Sequence, residues 1–102
     1  MIKVSVFYPN SKGAKFDMAY YTTKHMPMVK RLVSSCKSIA AEQGVAGGSP
    51  GTPATYIAIG HLTFDSVEAF QNGFTPHAGE ILGDIPNYTN VEPVLQISQI
   101  TL

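Results

Sequence analysis

A chain of 102 residues, 44% apolar and 14% charged, carries one domain's worth of material with the composition of a packed globule, which excludes disordered, collagenous and disulfide-scaffold classes. Seven basic and seven acidic residues leave no net charge, so the positive field that a DNA or RNA binder turns toward phosphates is missing and no nucleic-acid partner is expected. One cysteine, Cys36, can form neither an internal disulfide nor a four-cysteine zinc site, and points to a reducing compartment.

The first predicted element is a strand, in which Ile2, Val4, Val6 and Tyr8 alternate with Lys3, Ser5 and Phe7. Its apolar run is too short for a secretory signal, and nowhere are there the ~18 consecutive apolar residues of a membrane span. A soluble, cytoplasmic single domain over residues 1–102 with no membrane partner is expected. Pro9 to Gly13 reads as a loop. From Phe16 to about Val33 the apolar spacing changes to three and four, with Tyr21, Met28, Val29 and Leu32 on one stripe, which predicts a helix. Pro27 cannot donate to the Thr23 carbonyl and disfavours helical geometry at Met26, so a kink or two helical pieces should meet near His25.

Lys37 to Val45 is a strand candidate with Ile39, Ala41 and Val45 on one side. Gly44 to Pro53 follows as a glycine-rich hairpin connection, without the Gly-Lys-Ser/Thr ending of a phosphate loop or the glycine spacing of a dinucleotide turn. Thr55 to Phe64 is the clearest strand, its faces being Tyr56, Ala58, Leu62, Phe64 and Ile57, Ile59, His61, Thr63. Asp65 with Glu68 three residues on reads as a capping box, and Val67, Phe70 and Phe74 recur at helical spacing behind it. Thr75-Pro76 predicts a second N-cap and a helical piece from Pro76 to about Asp84, ending before Pro86. Val94 to Leu102, after Pro93, is the last strand.

The order β-α-β-β-α-β predicts an α+β fold of ferredoxin-like type, four antiparallel strands with both helices on one face of the sheet. Yet the central strand has apolar residues on both faces, with Ile57 and Ile59 opposite Leu62 and Phe64, and a face left to water should read polar. A second copy of the chain is the expected cover, and a neutral surface does little to keep two copies apart.

Four segments, Tyr20-Tyr21-Thr22-Thr23-Lys24-His25-Met26-Pro27-Met28-Val29, Leu62 to Phe70, Asp84-Ile85-Pro86-Asn87-Tyr88-Thr89-Asn90, and Glu92 to Ser98, together resemble the EthD family, named for ethyl tert-butyl ether degradation. The resemblance covers nearly the whole chain except the glycine-rich connection. It implies a ferredoxin-like fold assembled as a homodimeric α+β barrel, agreeing with the bare sheet face. It implies less about chemistry: related dimeric barrels include cofactor-free monooxygenases, muconolactone isomerases, haem-degrading enzymes and polyketide-modifying proteins, and the EthD protein itself accompanies a P450 system.

His25 lies one helical turn after Tyr21, at the break made by Pro27, and matches the His-Met-Pro of the family motif. An imidazole turned toward a cavity there can serve as a proton-transfer group, whereas the competing role is to cap carbonyls freed by Pro27. Asp84 matches the second motif and could equally hold a turn. His77 has Glu80 nearby to orient it, while His61 reads as a core or helix-facing histidine satisfied by a backbone group. Tyr8, Tyr56, Phe64 and Tyr88 fall at strand ends or loop starts where they could line a barrel mouth or simply pack. Cys36 has no neighbouring base. The expected site is thus catalytic His25 with ligand contacts from Tyr8, Tyr21, Phe64, His77 and Asp84. The three histidines have no metal-site spacing and no motif encodes a redox cofactor, so neither is expected. The absence of tryptophan departs from several monooxygenases and haem-degrading members of these barrels, which place one in the pocket.

Taken with these residues, the resemblance implies a small enzyme or accessory protein of oxidative or aromatic catabolism, with an oxidoreductase role among those open to it, that takes an apolar or phenolic metabolite. The alternatives are a non-catalytic binder in a P450 pathway and a cofactor-free lactone isomerase.

Overall fold

The computed structural model describes residues Met1–Leu102. Strands β1 (Ile2–Pro9), β2 (Ser38–Gln43), β3 (Tyr56–Phe64) and β4 (Val94–Gln99) form one antiparallel sheet in the order β2-β3-β1-β4. Helices α1 (Met18–Tyr20), α2 (Met26–Leu32), α3 (Val67–Phe74) and α4 (Ala78–Gly83) pack on one face of it, giving the α+β ferredoxin-like plait expected from the element order. Register decides the faces, because paired residues point the same way. Ile2 pairs with Phe64, Val4 with Leu62 and Tyr8 with Ala58, and all six are buried beneath the helices.

On the other face Phe7 pairs with Ile59 and Ser5 with His61, and Phe7, Ile57 and Ile59 are only half-buried. Ser5 Oγ lies 3.1 Å from His61 Nδ1, and His61 Nε2 lies 3.1 Å from Glu42 Oε1. The Glu42 carboxylate only accepts, so Nε2 carries a proton toward it, and the Ser5 hydroxyl faces the other ring nitrogen. His61 is therefore neither helix-facing nor satisfied by backbone, as its sequence neighbours suggested. Its place next to Leu62 in the strand alternation puts it on the bare face, where two side chains hold it.

The first helical segment begins two residues later than expected, with Asp17 as N-cap accepting from the Tyr20 N–H at 3.0 Å. The break anticipated at Pro27 takes the form of a π turn over Tyr21–His25, in which the Met26 N–H reaches back to the Tyr21 carbonyl. Widening the coil there keeps the proline ring clear of the preceding turn. The cap of α3 is Ser66, whose hydroxyl accepts from the Ala69 N–H at 3.0 Å; the Asp65–Glu68 box does not form. Asp65 faces Lys37 at 3.4 Å on the surface. Thr75 does not start a new helix either, since the helical backbone continues through it and Pro76, lacking its donor, only tightens Thr75–His77 into a 3-10 turn before α4. The last strand stops at Gln99, opposite Ile2, with one further bond from the Ile100 N–H to the Met1 carbonyl at 3.1 Å.

Candidate functional site

The segment after α4 is tied to the loop before α1 by a short run of bonds. The Asp17 N–H donates to the Tyr88 carbonyl at 2.8 Å, the Thr89 hydroxyl to the Lys15 carbonyl at 2.6 Å, and the Lys15 N–H to Asn90 Oδ1 at 2.9 Å. This clamp brings the Asp84-to-Asn90 segment against the π turn. Inside a π turn, residues five apart come to the same side. Tyr20 and His25 consequently meet Asp84 together.

Asp84 Oδ2 lies 2.8 Å from His25 Nδ1, and Oδ1 accepts from the Tyr20 hydroxyl at 2.6 Å and from Asn87 Nδ2 at 2.9 Å. Burial alone would raise the Asp84 carboxyl, but those three donors bring it below its ordinary value. Burial holds the His25 imidazole below its ordinary value against the opposing pull of Asp84. A neutral His25 bonded to a carboxylate carries its proton on Nδ1, leaving Nε2 with a free lone pair. Every enclosed polar side-chain atom has a partner, and Nε2 has none, so Nε2 is the accessible nitrogen of the ring. The competing role for His25, donating to carbonyls freed by Pro27, is not taken up, since its side-chain bond goes to Asp84.

Around His25 stand the aromatic rings of Tyr21, stacked at 5.6 Å, and Tyr88, at 4.6 Å. The Tyr8 and Tyr88 hydroxyls are 2.7 Å apart, and the Tyr21 hydroxyl lies over Gly60, where even a methyl group would collide with it. Burial pushes the phenols of Tyr8, Tyr21 and Tyr88 well above their ordinary range. They remain hydroxyls, able to donate, across the neutral range.

His25, Tyr8 and Tyr21 line the buried end of a narrow cavity of about 60 Å³ between the sheet and the helices, with Phe64 and Met26 in its wall and Leu82 and Leu95 at its exposed rim. The ligand contacts expected from sequence divide accordingly. Tyr8, Tyr21 and Phe64 are in the wall, Asp84 stands behind His25 and not in the cavity, and His77 lies apart in the 3-10 turn. Tyr56 packs on Phe7 at 5.0 Å, away from the cavity. The cavity is on the helix side of the sheet, whereas a barrel of two copies would close on the bare side. Sequence reasoning missed Tyr20 and Asn87; the only signals were the position of Tyr20 five residues before His25 and of Asn87 three after Asp84.

The EthD domain profile matches residues 13–92. Among solved structures, an EthD-like protein from Ralstonia eutropha JMP134 is 49% identical, with 99% of this chain and 92% of that one covered and a TM-score of 0.93. An ethyl tert-butyl ether degradation (EthD) family protein from Bacillus halodurans C-125 shares the fold at 18% identity over 99% of both chains, TM-score 0.72. A dimeric ferredoxin-like protein of unknown function from Thermobifida fusca YX does so at 13% identity over 97% of this chain and 90% of that one, TM-score 0.64. No curated protein matches the chain.

Proposed function

Because the chain belongs to the EthD family, we propose that it is a small-molecule protein of oxidative or aromatic catabolism that takes an apolar or phenolic ligand into the cavity and moves a proton through His25. The observation that carries this reading is the His25–Asp84 pair at 2.8 Å, which leaves Nε2 free on a ring that lines the buried end of an otherwise apolar cavity. A base needs its lone pair free, its ring fixed and water kept away. Asp84 fixes the ring, with Tyr20 and Asn87 fixing Asp84 in turn, and Phe64, Met26 and Val29 supply the dry wall. Asp84 is a positioning residue here, and Tyr8 and Tyr21, in the cavity wall, bring the hydroxyls that would steady oxygen on the ligand.

The working unit in this reading is a cytoplasmic homodimer. Phe7, Ile57 and Ile59 leave an apolar patch on the bare face, and the Thermobifida fusca protein of similar fold is described as dimeric. A second reading, a protein that holds an intermediate for a partner P450 system without altering it, is favoured by the preponderance of hydrophobic side chains in the cavity wall.

A turnover assay on quinols and on lactones, run beside calorimetric titration with para-cresol, tests both. Turnover lost in His25→Ala with unchanged molecular mass is the expected result. Binding without turnover would select the carrier, and a wild-type level of both in His25→Ala would overturn the role given to His25.

A further inference from the structure

Resting on the site just proposed, we infer that the cavity takes only uncharged ligands, entering between α4 and β4 and presenting a hydrogen-bond donor or an acidic C–H to His25 Nε2. Leu82, Ile85, Pro93 and Leu95 belong both to the cavity and to a shallow surface groove that continues outward to Pro86 and Glu92. Groove and cavity form one path from solvent to the buried histidine. Leu82 and Leu95, each about half exposed at 49% and 48%, are the side chains free to swing aside for a ring larger than the resting cavity.

The charges along this path have one sign. Glu92 stands on the outer groove and Asp84 stands behind His25. None of the seven Lys and Arg residues lines either the groove or the cavity. An anion moved inward would lose its water, meet no counter-charge and approach the partly buried Asp84 carboxylate. Anion binding is ordinarily built on Arg or Lys side chains, and none of these faces the path. Lactones and aromatic acids bearing a carboxylate therefore fall outside the ligand class.

The polarity of the inner end narrows the class further. Nε2 can only accept, since Nδ1 carries the ring proton toward Asp84. When Tyr88 donates to Tyr8, the Tyr8 hydroxyl, which is in the cavity wall, keeps its own hydrogen for a ligand. A phenol or an enolisable ketone satisfies both ends at once: its acidic hydrogen faces Nε2 and its oxygen accepts from tyrosine.

Three para-methyl aromatics of similar shape separate the terms: para-cresol, para-methylanisole, which has no donor, and para-toluate, which is charged. Calorimetry at neutral pH, with the His25 ring followed by NMR, should show para-cresol binding and shifting the ring, para-methylanisole weaker by roughly tenfold, and para-toluate weaker by about a hundredfold or more. Glu92→Lys should raise the toluate-to-cresol affinity ratio several-fold. Toluate binding within tenfold of cresol, with the His25 ring shifted by both, would overturn the charge selection and leave the ligand site standing. Equal binding of cresol and methylanisole would overturn the donor requirement. If no probe binds or moves the His25 ring, the proposed site itself fails, and this inference with it.

Discussion

Asp84 accepts from Tyr20, His25 and Asn87 at once, so its removal leaves three donors without their acceptor. Asp84→Ala should cost about 2 kcal/mol, read as a lower melting temperature, and should release the His25 tautomer, read from its ring nitrogen shifts; a ring still protonated on Nδ1 alone would show that something else holds it. Acid acts in the same direction. The folded state depresses His25 below its ordinary 6.5, so the unfolded chain binds the proton first and stability falls as pH drops from about 6.5 toward the folded value. Asp84, also depressed, adds a loss only below its ordinary 3.8. Melting curves from pH 8 to pH 5 (~3 units spanning the histidine range) should slope less in His25→Gln than in the parent, and parallel slopes would remove His25 as the cause. At this scale the sequence was partly legible. His25 and Asp84 stood out individually, but their contact spans 59 positions, and nothing local in either segment announces the other. Tyr20 was hidden for a further reason: an ordinary helix would not put it on the same side as His25, and only the π turn does.

The elements themselves were legible wherever one signal dominated, as with the alternation in β1 and β3 or the helix break forced by Pro27. They blurred where two residues competed for one task. Asp65 and Ser66 both suit an N-cap, and the extended backbone at Ser66, φ −157 and ψ 168, decides for the serine. Ser66→Ala should therefore cost about 1 kcal/mol and Asp65→Ala, which loses only an exposed ion pair with Lys37, less than about 0.5; reversed losses in chemical denaturation would restore the capping box. The π turn makes a coupled prediction. Deleting Thr23 would close Tyr21–His25 into ordinary helix and drive Pro27 against the turn before it, at about 3 kcal/mol. The same deletion combined with Pro27→Ala should recover most of that loss, and additive losses in the two denaturation curves would mean that the wide turn has another origin.

For the whole molecule, the two faces of the sheet separate stability from assembly. Leu62 and Phe64 are buried beneath the helices, so a carboxylate in place of either should unfold the chain. Ile59 lies on the bare face, and Ile59→Asp should keep the fold while shifting light scattering from about twice the 11.0 kDa chain mass toward a single copy, since each Å² of apolar surface left in water costs roughly 25 cal/mol. A parent chain that scatters as a monomer at micromolar concentration would remove the homodimer. The plait was legible from element order, and the need for a cover from the apolar residues on both faces of β3. The location of the cavity was not, because it depends on which side chains of α2, α4 and β4 leave space between them, a property of packing that no single segment carries.

The cavity lies on the opposite side of the sheet from the bare face. Two copies meeting through the bare face would put both sheets between their cavities, an arrangement that argues against coupling of their occupancy. Their saturation should follow a simple hyperbola with one ligand per chain and a Hill coefficient of about 1, the value for zero coupling free energy between sites. A sigmoidal para-cresol isotherm, or half-of-sites saturation, would show that the sheet transmits what this geometry says it does not.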